Sequence, residues 1–160
     1  MNLGLQNKII IVSGGAKGIG EGIVKVLATE GALPVIIGRS SADNQKLVKE
    51  IIEQGLQCDA VEAELTQPEE CQRAITDILN KHGRIDGLVN NAGVNDGVGL
   101  EGGDYHRFIE SLHKNLVHYY LLAHHALPSL IQSKGSIVNI GSKTAETGQG
   151  KTSAYAAANG

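Results

Sequence analysis

The sequence predicts an α/β domain with a doubly wound parallel sheet, and three observations carry that prediction. Short β-branched apolar runs alternate with stretches of helical periodicity along the whole chain. A glycine turn joins the first run directly to the first helix, and no internal repeat or low-complexity linker interrupts the alternation. The chain of 160 residues, 41% of them hydrophobic, suits one domain with a sizeable core.

Residues 8–13 contain Ile9, Ile10, Ile11 and Val12 in succession, the pattern of a strand buried on both faces. Residues 14–20 form the glycine turn. Residues 21–30 place Ile23, Val24, Leu27 and Ala28 at helical spacing, with Gly31 as the breaker. A second buried strand is predicted over 34–38. A helix follows over 46–54 with Leu47, Val48, Ile51 and Ile52 on one side, then a third strand over 57–63.

Thr66 is the predicted N-cap of the next helix, with Pro68 in its first turn and acidic Glu69 and Glu70 behind it. That helix runs to about His82. A fourth strand over 85–89 enters the run Asn90, Asn91, Ala92, Gly93. After a glycine-rich loop, Asp104 opens one long helical stretch to about Ser133, which Pro128 must kink or end locally. The fifth strand is predicted over 136–140. A polar loop then leads to Thr152, and Thr152 or Ser153 starts a last helix.

Composition narrows the function. A formal net charge of −3 argues against nucleic acid or an anionic membrane as the main partner. The longest apolar runs fall far short of a membrane span. Met1, Asn2 and Leu3 lead straight into a strand pattern without a signal-peptide signature. Cys58 and Cys71 offer neither a disulfide framework nor a paired metal motif, so a reducing cytoplasm is expected, with one cysteine in the core and one on a helix. His106, His113, His118, His124 and His125 lie in the long helical stretch. None pairs with another at i, i+4 and no carboxylate-rich set accompanies them, so no metal site is expected.

The glycine turn carries chemistry. Gly14, Gly18 and Gly20 have the spacing Gly-x-x-x-Gly-x-Gly between a strand and a helix. Glycines permit a tight turn and close backbone approach, and the helix N-terminus presents free N–H groups to a pyrophosphate. No Gly-Lys-Ser/Thr follows at P-loop spacing. From these glycines alone, an ordinary βα turn and a methyltransferase on a similar sheet both stay open.

Taken together, the turn, the run Asn90 to Gly93, Ser142 and Tyr155 resemble the short-chain dehydrogenase/reductase family, whose motifs they follow in order. Ser13 stands where the family usually has Thr. The resemblance implies a Rossmann domain over residues 1–160 that is incomplete at its C-terminus, with five strands of the usual seven. It implies Gly14, Lys17, Gly18, Ile19 and Gly20 at the cofactor. Arg39, with Lys17, resembles the cationic pair that receives a 2′-phosphate, so NADP is favoured and NAD is the alternative. Glu64 and Leu65 occupy the place where relatives carry an Asp that holds the adenine, and Asn91, Ala92 and Gly93 line the cofactor near the adenosine ribose.

For catalysis the resemblance implies Tyr155 as proton acceptor, Ser142 as hydrogen-bond partner of the substrate oxygen, and Asn115 as anchor of a relay water. A free phenol titrates near pH ~10, and the family lowers that barrier with a Lys one helical turn on. Here that position is Asn159. The resemblance therefore implies an NAD(P)-dependent oxidoreductase acting on a secondary alcohol, while Asn159 and the short C-terminus favour a catalytically silent fragment or pseudoenzyme that at most binds a dinucleotide. Residues 94–100 and 143–150 are polar and aromatic-poor, and they look most like the L-fucose branch of bacterial sugar dehydrogenases. The family also implies homo-oligomers paired through the long helix, leaving an apolar face around Leu112, Leu116 and Tyr119 exposed in this chain.

Overall fold

Five parallel strands form one sheet in the order β3-β2-β1-β4-β5, with β1 at Ile9–Ser13, β2 at Leu33–Gly38, β3 at Asp59–Glu62, β4 at Gly87–Asn90 and β5 at Ser136–Asn139. This computed structural model describes residues 3–160; Met1 and Asn2, where the N-terminal reading begins, lie outside the described residues.

Strand periodicity divides the core between the two faces. Ile9, Ile11, Val35, Ile37 and Leu88 point to one side, where α3 (Pro68–His82) and α5 (His118–Ser133) cover them with Ile75, Ile78, Leu122 and Ala126. Ile10, Val12, Ile36 and Val89 point to the other, beneath α1 (Gly18–Thr29) and α2 (Ser41–Glu53) with Val24, Ala28, Leu47 and Ile51. Burying both faces explains why the central strands are continuous apolar runs rather than alternating ones.

Four expectations are corrected. Thr66 does not cap α3: Gln67 holds the cap position, and the Thr66 N–H and hydroxyl both donate to Glu64 Oε1, at 3.2 and 3.0 Å. The predicted helix over 46–54 starts earlier, at Ser41, because the Ser40 hydroxyl caps it by accepting the Asp43 N–H at 3.3 Å. The stretch opened by Asp104 is not one regular helix. It comprises α4 (Tyr105–Leu112), a π-helical turn (His113–Val117) and α5, which runs through Pro128 without ending there. The loop after β5 contains a further short helix, α6 (Lys143–Thr147), before α7 (Ser153–Asn159).

Within the π turn the Lys114 carbonyl bonds Nε2 of the buried His118 at 2.9 Å. The outward stripe also differs in detail. Leu112 and Tyr119 are half-buried, and the exposed apolar side chains are Leu116, Tyr120, Leu127 and Ile131. No described helix is long and apolar enough to cross a membrane.

Candidate active site

The glycine turn is built by interlocking two loops at the C-terminal ends of neighbouring strands β1 and β4. Ser13 is fully buried, and its hydroxyl oxygen accepts the backbone N–H groups of Asn91 at 2.9 Å and Ala92 at 3.1 Å. The Asn91 side-chain amide also donates, to the Ser13 and Gly14 carbonyls, at 3.1 and 3.2 Å. This crowding dictates glycine at two positions. Gly14 has φ +64°, and a Cβ there would stand 2.8 Å from the Ala92 Cα. A Cβ on Gly20 would meet the Gly14 carbonyl oxygen at 2.3 Å.

The turn delivers the N-terminus of α1 to the surface. Lys17 sits at its cap with no side-chain cap bond, while Gly18 and Ile19 are exposed and Gly20 is buried. The first N–H groups of the helix are therefore open to a ligand from outside. Lys17 Nζ pairs with Asp43 Oδ2 at 2.7 Å, which ties the turn to the start of α2.

Beyond the end of β2, a cleft of about 550 Å³ is lined by Arg39, Glu62, Ala63, Glu64, Glu70 and Arg73. Arg39 and Glu64, far apart in sequence, are thus brought together. Glu64 is half-buried with Oε1 held by Thr66, and Leu65 puts its side chain into the core. Arg73 forms the outer wall: it donates to Glu70, to Asp77 at 2.9 Å and to the Glu62 carbonyl at 2.7 Å. An uncapped helix N-terminus, a glycine cradle and a cleft carrying both a cation and an acid fit the phosphate, ribose and adenine parts of a dinucleotide.

The second group of residues lies around α7, which packs against α4, α6 and the π turn. Ser142 is the cap of α6, its hydroxyl accepting the Thr144 N–H at 3.2 Å. Tyr155 is half-buried in the first turn of α7, whose start is fixed by the Ala154 N–H donating to the Val98 carbonyl at 3.1 Å. Asn115 is buried in the π turn. Its Oδ1 accepts the Val94 N–H at 2.7 Å and its Nδ2 donates to the Ser111 carbonyl at 2.9 Å. Asn115 thereby clamps the loop after β4, and Gly93 has no Cβ to collide with it. Asn159 turns its amide inward, donating to the Tyr155 carbonyl at 2.8 Å.

Two residues have structural roles that sequence reasoning did not assign. Tyr119 donates its hydroxyl to the Ile140 carbonyl at 3.1 Å; burial, with the nearby Tyr155, pushes its phenol up to about 12. Asp43 is the other, and the Ser-x-x-Asp spacing from Ser40 is the capping signal that marks it. Both cysteines are buried thiols: burial pushes Cys58 up to about 12 and Cys71 up to about 11, which leaves neither as a nucleophile. Among the described residues, no group of three or more His, Cys, Asp or Glu side chains is placed to hold a metal ion.

The family model described as short chain dehydrogenase matches residues 8–160. The chain belongs to the short-chain dehydrogenase family. An L-fucose dehydrogenase of Rattus norvegicus is 32% identical over 156 residues, which is 97% of this chain and 56% of that relative. The chain thus spans about half the length of the curated relatives it matches. Among solved structures, the Cj0485 dehydrogenase is 42% identical at TM-score 0.90, covering 99% of this chain and 60% of that one. A metagenomic short-chain oxidoreductase in complex with NADP is 29% identical at TM-score 0.90, covering 97% of this chain and 71% of that one. Family membership removes the methyltransferase alternative that the glycines alone left open.

Proposed function

We propose that this short-chain dehydrogenase transfers a hydride between a secondary alcohol and the nicotinamide of NADP, with L-fucose as the first sugar to test. The observation that carries the reading is the glycine turn locked against Asn91, which opens the α1 N-terminus beside the cleft of Arg39 and Glu64. The L-fucose choice is supported by the activity named for the rat relative.

When bound, the dinucleotide supplies the hydride acceptor. The chain's own residues do the rest. The N–H groups at Gly18, Ile19 and Gly20 receive the pyrophosphate, and Arg39 receives the 2′-phosphate from the exposed end of β2. Glu64 and the Leu65 backbone hold the adenine, while Asn91, Ala92 and Gly93 line the adenosine ribose. Tyr155 accepts the proton of the substrate hydroxyl and Ser142 hydrogen-bonds the same oxygen. The Asn115 side chain is committed to Val94 and Ser111, so its share in a proton relay falls to its backbone carbonyl, which anchors a water. The exposed stripe of Leu116, Tyr120, Leu127 and Ile131 supports a homo-oligomer, and two buried unpaired cysteines support a cytoplasmic setting.

A second reading, a dinucleotide-binding but catalytically silent protein, is favoured by one observation: Asn159 supplies no charge to Tyr155 and spends its amide on a backbone carbonyl. One experiment separates the two. NADPH and NADH binding is followed by fluorescence, and L-fucose-dependent NADP reduction by absorbance, in the wild type and Tyr155→Phe. Turnover lost in the variant supports the enzyme. Binding without turnover in either protein supports the silent reading, and absence of dinucleotide binding overturns both.

A further inference from the structure

The start of α2, shortly after the cleft residue Arg39 in the chain, carries an acid with no part in the dinucleotide contacts above. Asp43 lies in the first turn of α2, three residues past the Ser40 cap, and Lys17 occupies the residue before α1 on the glycine turn, without a side-chain cap bond. Their 2.7 Å ion pair therefore ties the glycine turn to the start of α2, at a position four residues beyond Arg39 in the chain. Arg39 lines the cleft with no carboxylate partner among the described residues. The two cations expected at a 2′-phosphate are thus unequal in this chain: Arg39 is available and Lys17 is already engaged.

We propose that Asp43 is a cofactor-selectivity residue that weakens binding of 2′-phosphorylated dinucleotides by holding Lys17 and setting a carboxylate beside the 2′ position. This rests on reading the cleft as the adenosine end of a dinucleotide site. A phosphate monoester carries a charge of about −1.5 to −2 at neutral pH. To use Lys17 it must open the Lys17–Asp43 pair, after which Asp43 remains nearby as an unneutralised like charge. A free 2′-hydroxyl meets no such opposition, because it can donate to a carboxylate. Asp43 thus pulls the site toward NAD while Arg39 pulls it toward NADP, and the chain discriminates between them less than two free cations would. The Ser40 cap uses the Asp43 backbone N–H, so exchanging the side chain leaves that bond in place.

The test uses ligands that fill only the adenosine end, all of whose proposed contacts lie in this chain. Calorimetric titration compares 2′,5′-ADP with 5′-AMP at fixed ionic strength in the wild type, Asp43→Asn, Lys17→Met and the double variant. Glu53→Gln, at the far end of α2, is the control for net charge. Asp43→Asn is expected to tighten 2′,5′-ADP about three- to tenfold, as suits a partly exposed charge, and to leave 5′-AMP within about twofold. Without Lys17 the same change should gain less. Unchanged 2′,5′-ADP affinity, equal tightening of both ligands, or an equal effect of Glu53→Gln would overturn the proposal. Should neither ligand bind the wild type, the dinucleotide reading of the cleft itself falls. Should both bind with a ratio insensitive to Asp43, only the role of Asp43 falls.

Discussion

Ser13 and Asn91 are bonded twice, with Asn91 donating each time: its backbone N–H to the Ser13 hydroxyl oxygen at 2.9 Å, and its side-chain amide to the Ser13 carbonyl at 3.1 Å. A third bond, from the Ala92 N–H at 3.1 Å, converges on the same hydroxyl. Two loops that follow different strands are thereby made one rigid unit, with the glycine turn on its outer side. Serine in place of the family's usual threonine costs none of these bonds, since only the oxygen takes part.

The first prediction follows from that oxygen. Ser13→Ala leaves two N–H groups without a buried acceptor and is expected to destabilise the fold by about 1–3 kcal/mol. Ser13→Thr keeps the acceptor and should stay within about 1 kcal/mol of the wild type. Urea denaturation midpoints measure both. A Ser13→Ala protein as stable as the wild type would show that water replaces the hydroxyl at no cost.

Two glycines in one helix should respond oppositely to alanine. A Cβ on Gly20 would drive into the Gly14 carbonyl oxygen and the Asn91 amide, so Gly20→Ala should open the interlock and abolish dinucleotide binding. Gly22, a fraction of a turn further along α1, has open space around the same added atom. Gly22→Ala should stabilise the protein by about 0.5–1 kcal/mol through helix propensity alone, with binding retained. Thermal melts and NADPH titration of the two variants check the contrast.

Acid sensitivity should originate at the opposite end of the sheet. Asp86 has a nearly buried side chain that accepts from the Ile9 N–H at 3.0 Å, from Lys8 at 3.2 Å and from Arg84. Burial works to raise its carboxyl, but the Ile9 N–H, Arg84 and Lys8 outweigh it and hold the group below its ordinary value. A depressed folded pKa adds stability above the unfolded value of about 3.9, and that stability is lost as pH falls through the folded value. Asp86→Asn should therefore cost about 1–3 kcal/mol at neutral pH, and progressively less as pH falls below the unfolded carboxylate value of about 3.9. Stability measured against pH in both proteins gives the answer, and parallel curves would remove Asp86 from the acid response.

The sheet was readable because β-branched runs announce strands buried on both faces, and the structure places each predicted strand within two residues of its expected start. The glycine turn was readable for a different reason: close backbone contacts at Gly14 and Gly20 admit almost no other residue. Helix starts were harder. Residues 41–45 carry no apolar periodicity, and only the Ser40 cap announces α2. Thr66 looked like a cap because of its chemistry, yet Glu64 captured its hydroxyl. The π turn had no signal in pattern, and the bond between the buried His118 imidazole and the Lys114 carbonyl inside it depends on tertiary burial. The Lys17–Asp43 pair was hidden for the same reason, because it joins residues on different elements through tertiary folding.

The last prediction concerns the charge that position 159 lacks. Asn159 donates to the Tyr155 carbonyl one turn back, and this bond stiffens the end of α7 without acting on the phenol. A lysine ammonium at that position would favour the phenolate form, and each unit by which it lowers a phenol's pKa is worth about a tenfold larger anionic fraction near neutral pH. Asn159→Lys should therefore raise sugar-dependent NADP reduction about tenfold or more at neutral pH, with a smaller gain at alkaline pH. Asn159→Gln, which restores reach without charge, should give no such gain, and Tyr155→Phe should abolish turnover in either background. Stability should move by no more than about 0.5 kcal/mol, because a cation in the last turn of a helix is well placed against its dipole. Pre-steady-state rates across pH for these proteins decide the matter. Equal rates for the wild type and Asn159→Lys at every pH, with both fast, would mean that Tyr155 is activated by another group.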